Sequence, residues 1–223
     1  MNLPFTPDQF LNVFREYNLS VWPMQIVLVL LGLTAIYFAV VRHKPSNMII
    51  AGILAFLWLW MGVVYHFRHF TTINPAAYAF GSLCIIQGLV FVFSGMIRTS
   101  LSFESRTDVY GIVGAVMVLY ALIVYPILGY FQGHIYPHSP TFGAPCPTTI
   151  FTFALLLWAD RKVPVYVLLV PFLWSLIASS AALSLGILED IGLLVSGLVA
   201  TVLILIRNRR GHLQEKTVEY AVH

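Results

Sequence analysis

From residue 21 onward the chain alternates between long apolar stretches and short clusters of charge, but its first segment follows a different rule. Within residues 6–17, Phe10, Val13, Phe14 and Tyr17 recur at helical spacing, and Asp8, Asn12, Arg15 and Glu16 are left for the other face. Thr6-Pro7-Asp8-Gln9 reads as a helix start, with Thr6 as N-cap, Pro7 at the first helical position and Gln9 reaching back. The pattern predicts a short amphipathic helix lying in a membrane interface.

Seven apolar segments follow, at residues 21–41, 48–67, 75–97, 109–131, 150–159, 163–186 and 191–206. Most approach the ~20 residues that cross a ~30 Å hydrocarbon core. Arg42/Lys44, Arg98/Arg106, Arg161/Lys162 and Arg207/Arg209/Arg210 fall on alternate connections and the C-terminal tail, whereas the opposite connections contain one basic residue, Arg68. Seven crossings put all four clusters on one side, and the positive-inside rule makes that side cytoplasmic. The expected fold is an all-α integral membrane protein, a seven-helix transmembrane bundle with its N-terminus outside and its C-terminus cytoplasmic. Residues 1–20 form the interfacial helix, 21–206 the transmembrane domain and 207–223 a cytoplasmic tail.

Composition supports this reading. Of 223 residues, 59% are hydrophobic and 9% charged, against about 25% charged in soluble domains, so lipid must solvate much of the surface. The net charge of +3 is scattered through short loops, which argues against nucleic-acid binding, since that needs a concentrated basic face. Cys84 and Cys146 form at most one bridge, and their apolar settings argue against a disulfide framework. The first twenty residues lack the basic start and apolar core of a cleavable signal peptide.

The topology sorts the reactive side chains. His66, His69, His134, His138, Cys146, Glu189 and Asp190 all fall at the outer face, whereas His43 and His212 sit beside inner basic clusters and His223 is the terminus. His66 and His69, spaced i, i+3, share a face on a continuing helix, and imidazole suits zinc, copper, iron or nickel. The same pair also reads as two interfacial histidines wetted by headgroups. Pro137 breaks any helix joining His134 to His138, leaving them as loop residues. The span at 150–159 has ten residues and rises only about 15 Å, so the Gly- and Pro-containing segment 141–149 must supply part of the crossing. Non-helical backbone at membrane depth survives only when enclosed by protein or lining a watery cavity, and broken helices often mark transporter binding sites. Cys146 lies between Pro145 and Pro147 at a helix start that favours a thiolate. Asp190 falls near the outer hydrocarbon boundary, where acidic groups face protein or water.

Other polar points read as packing: Gln87 in a span, and Ser175, Ser179, Ser180 and Ser184 along the sixth. The motifs GxxxxGK[ST], GxSxG and HExxH are absent, and no lysine lies mid-span for a retinal Schiff base.

Three passages carry a resemblance: Pro4-Phe5-Thr6 through Tyr17-Asn18 with Val21-Trp22-Pro23; Ile73-Asn74-Pro75-Ala76-Ala77; and Cys146-Pro147-Thr148-Thr149-Ile150-Phe151-Thr152. They resemble an uncharacterised family of bacterial multi-pass membrane proteins, a domain of unknown function, over nearly the whole chain. The resemblance implies a bacterial inner-membrane location and brings no assigned activity. Cys146-Pro147 is also similar to the Cys-Pro element of heavy-metal pumping ATPases, although none of a pump's ATP-binding parts is present.

The functional expectation is a membrane protein that binds a transition metal ion, zinc or copper, or another small solute at its outer mouth for transport. His66, His69 and Cys146 are the first candidate ligands, with His134, His138 and Asp190 behind them. Two alternatives stand beside it. One is a membrane-embedded metal-dependent hydrolase, similar in architecture to seven-helix alkaline ceramidases, in which a bound metal activates water. The other is a non-catalytic subunit of a membrane complex. The sequence leaves the solute, its direction, the energy source and the oligomeric state open.

Overall fold

The computed structural model describes residues 4–222, with side chains over residues 4–210. His223 lies outside the described residues, and so do the side chains of residues 211–222, which include His212 and most of the expected tail at 207–223. Among the described residues the chain is helical, with two isolated bridges, Phe103 to Ala159 and Phe142 to Ala144.

Helix α1 (Pro7–Val21) starts as its sequence predicts. Thr6 Oγ1 accepts from the Gln9 N–H, Gln9 Oε1 accepts from the Thr6 N–H, and Pro7 takes the first turn. Its buried face holds Val13, Phe14, Tyr17 and Asn18. At Trp22-Pro23 the chain bends by 89° into α2 (Met24–Val40), so α1 runs across the direction of the first apolar helix. That is the geometry an interfacial helix needs.

Then come α3 (Ser46–Trp60), α4 (Ala77–Phe91), α5 (Val109–Leu119) and α6 (Tyr125–Phe131), followed by α7 (Pro145–Leu157), α8 (Val165–Leu185) and α9 (Ile191–Val222). A π-helical stretch, Met61–Phe67, extends α3; Val92–Ile97 extends α4; and Tyr120–Val124 joins α5 to α6. Among the described residues, five units are long and apolar enough to cross a membrane: Ser46–Thr72, Ala77–Ile97, Val109–Phe131, Val165–Leu185 and Leu188–Arg210. The protein is thus built for a membrane. Helix α9 continues beyond Ile206 through its basic residues instead of stopping there.

Helix α7 explains how so short an apolar segment is accommodated. All thirteen of its residues are buried, with α5, α8 and α9 packed around it, so protein rather than lipid surrounds it. Residues 142–144, which lead into it, are buried as well, as backbone at membrane depth requires. At its far end Arg207 caps the last carbonyls, donating to Leu157 O at 2.9 Å and Leu156 O at 3.3 Å. The same end of the bundle gathers two further clusters of charge. Arg42 pairs with Glu104 at 2.6 Å and with Asp160 at 3.2 Å, and Arg106 pairs with Asp108 at 2.6 Å. Slight burial pushes the Asp108 carboxyl up, but the Arg106 guanidinium and the α5 N-terminal amides outweigh it and hold the group below the usual carboxylate range.

Small residues set the close helix crossings. A Cβ on Gly62 would sit 2.7 Å from Gly81 O, and one on Gly197 would collide with Ser175 Oγ. The expected packing role of the α8 serines therefore holds for Ser175, which is buried against α9.

Candidate functional site

At the end of the bundle opposite the Arg42 and Arg106 clusters, the starts of α4, α7 and α9 meet the later half of α8 and the start of α1. They enclose a cavity of about 160 Å³. Its walls are the rings of Phe5, Phe10, Phe70, Phe80 and Trp174, with Cys146 and Asp190 as reactive groups. Asn74 and Phe10 at its rim are half-buried and Ile177 is exposed. A larger groove, of about 530 Å³, runs between α5, α6 and α9, but its lining is almost wholly aliphatic.

The acidic groups arrive at the cavity through local chain geometry. Gly186 at φ 76° ends α8, and Ile187 N–H donates to Ala182 O at 2.9 Å, the six-to-one bond of a Schellman turn. The reversed chain forms a 3₁₀ turn, Leu188–Asp190, which delivers Glu189 and Asp190 to the start of α9. Both are buried, with Glu189 fully covered and Asp190 3% exposed. Asp190 Oδ1 accepts from the Tyr125 hydroxyl at 2.6 Å and Oδ2 accepts from the Cys146 thiol at 3.4 Å. Glu189 Oε1 accepts from His134 Nδ1 at 2.7 Å and Oε2 from Gln132 Nε2 at 2.8 Å. Tyr120 donates to the Glu189 carbonyl at 2.7 Å, and Leu188 N–H donates to Gln132 Oε1 at 3.0 Å. Buried carboxylates need such partners, but the two are matched unequally. Glu189 has a histidine, whereas the side-chain donors on Asp190 are a neutral hydroxyl and a neutral thiol.

Of the residues expected at the outer face, the fold brings Cys146 to Asp190 and His134 to Glu189. His138 is exposed on the loop. His66 and His69 part company, contrary to their i, i+3 spacing. The π-helical winding at Met61–Phe67 makes a wider turn than an α-helix, and it separates the directions of residues three apart. His66 is buried edge-on against Phe70, Phe80 and Trp174, behind the cavity wall. Its Nδ1 lies 2.9 Å from Met61 O and so carries the proton, leaving Nε2 as a buried acceptor without a partner. His69 turns instead to α1, with Nε2 2.9 Å from Ser20 Oγ and Nδ1 2.8 Å from Val64 O. Among the described residues, no three His, Cys, Asp or Glu side chains gather into a group that could hold a metal ion. Cys146 does occupy a helix start, but it meets a carboxylate there and acts as a hydrogen-bond donor.

Tyr125, Trp174 and the four phenylalanines belong to the site without having been singled out. For Trp174 a signal existed: Trp174, Ala178 and Ala181 recur on one face of α8 and all line the cavity. The loop over the site is tied to α1 by Asn18. Asn18 donates to Pro137 O at 2.7 Å and Ser139 O at 2.8 Å, and it accepts from Thr141 Oγ1 at 2.9 Å. The amphipathic helix therefore holds down the segment that leads to Cys146.

A family model described as "Family of unknown function (DUF6064)" matches residues 7–215. No curated protein and no solved structure matches the chain.

Proposed function

The chain belongs to the DUF6064 family, whose function is unknown, and we propose that it takes a small solute into the cavity at its outer end and passes it across the membrane. The observation that carries this is the aromatic-walled cavity of about 160 Å³ with Asp190 and Cys146 in its wall. Its volume is close to the ~150 Å³ of an engineered cavity that holds benzene, which suits a solute of roughly six to ten non-hydrogen atoms. The short helix α7 beside it is the kind of interrupted element that builds transporter sites.

In this reading α2 and α7 cross with the five long units, giving seven spans, and residues 141–144 complete the α7 crossing. The basic clusters then lie inside, and the N-terminus and cavity outside. The resemblance points to a bacterial inner membrane. Among the described residues Cys146 and Asp190 meet without a third candidate ligand, so an organic solute is better supported as the occupant than zinc or copper.

A thermal-shift screen of the detergent-purified full chain tests the proposal, using small organic solutes together with zinc and copper. Binding solutes raise the unfolding midpoint of the wild type. Ala181→Phe, which fills the cavity, abolishes those shifts and still unfolds cooperatively. A panel without a single shift, or shifts that persist in Ala181→Phe, would remove the cavity as the site.

A further inference from the structure

On the reading that this cavity is the binding site, its charge and surface narrow the class of solute. We infer that it is built for a small organic ammonium ion, held between the Asp190 carboxylate and the surrounding aromatic rings.

The charge argument starts from the neighbours of Asp190. Tyr125 on α6 and Cys146 on α7 donate to its two oxygens, and Tyr65 stands nearby on the π-helical extension of α3. Glu189 adjoins it, and His134, whose charge would reach Asp190, is already hydrogen-bonded to Glu189. Among the described residues, the lysine and arginine ion pairs are Arg15 with Glu16, Arg42 with Glu104 and Asp160, and Arg106 with Asp108. None involves Asp190. A buried carboxylate whose partners are neutral favours a cation from outside. Its two oxygens offer about four acceptor positions, so the bonds from Tyr125 and Cys146 leave room for an approaching cation.

The surface argument is independent. Five aromatic side chains line the same cavity: Phe5 stacks on Phe10 at 5.8 Å, and edge-on contacts join Phe5 to Phe70 at 5.6 Å, Phe10 to Phe70 at 6.0 Å and Phe80 to Trp174 at 5.5 Å. Aromatic rings carry negative faces and attract organic cations, Trp most strongly. A neutral apolar solute would make no use of Asp190, and a metal ion would make little use of the rings.

The test compares choline with its uncharged carbon isostere, 3,3-dimethyl-1-butanol, by isothermal titration of the purified full chain in detergent. The expected result is choline binding at least about tenfold tighter than the isostere. In Asp190→Asn the two should bind within about threefold of each other, with folding checked by thermal unfolding. If that variant does not fold, the wild-type comparison decides alone. Equal binding of the two probes to the wild type overturns the cation assignment and leaves the cavity as a solute site. So does a choline-silent protein that still binds neutral members of the solute panel. Failure of choline and of every panel member overturns both readings together.

Discussion

Tyr125 and Cys146 come to Asp190 from different helices, 65 and 44 residues away along the chain, and each covers one oxygen of a carboxylate that has left water. Removing a buried donor from a charged acceptor forfeits the bond and leaves the acceptor short of a partner. Tyr125→Phe is therefore expected to destabilise the protein by about 1.5–3 kcal/mol, seen as a lower unfolding midpoint in detergent. Cys146→Ser keeps a donor at the same position and should stay within about 1 kcal/mol of wild type. Equal stability of Tyr125→Phe and wild type would mean that the short bond contributes nothing. Cys146 and Asp190 were legible in the sequence, because a Cys between prolines and an acid at a span boundary both break the apolar pattern. Tyr125 was not, since a tyrosine inside a span has the same pattern as a packing aromatic.

The helices themselves are nearly uniform in apolarity, so their contacts depend on small residues and on changes of winding. Gly62 and Gly81 let the extended α3 approach α4 until a carbonyl occupies the space of a side chain. Gly62→Ala should force these helices apart and cost about 1–3 kcal/mol. Gly52→Ala is the control on the same helix. Its added Cβ would meet only Met96 Sδ at 3.8 Å, and alanine favours the helix, so stability should hold or rise slightly. Equal losses for the two in thermal unfolding would contradict the close crossing. The extent of each element was largely readable, from the capping box at Thr6 to the unbroken run Val109–Phe131. The π-helical turns were not, because no residue type marks them, and the one at Met61–Phe67 redirected His69 away from His66.

Over the whole molecule, the proposed orientation predicts which loops meet which solution. Tyr136 is exposed on the loop near the cavity and Thr107 is exposed among the basic connections, while the native Cys84 and Cys146 are both buried. A membrane-impermeant thiol reagent should label Tyr136→Cys in intact cells and Thr107→Cys only after permeabilisation. The reverse pattern would invert the bundle and put the cavity on the cytoplasmic side.

Membrane residence, the position of the apolar segments, the amphipathic first helix and the gathering of reactive groups toward one end all follow from the sequence by itself. Lipid transfer, helix capping and the charge bias of loops act segment by segment, so they leave a trace along the chain. Which of those groups touch was decided only by tertiary structure. Cys146 finds Asp190, His134 finds Glu189, and Asn18 reaches across 123 residues to Thr141, through helix rotations and tilts. Lipid is as apolar as the helix interiors, so hydrophobicity does not specify those rotations. Glycine contacts, buried hydrogen bonds and the winding of a few turns do.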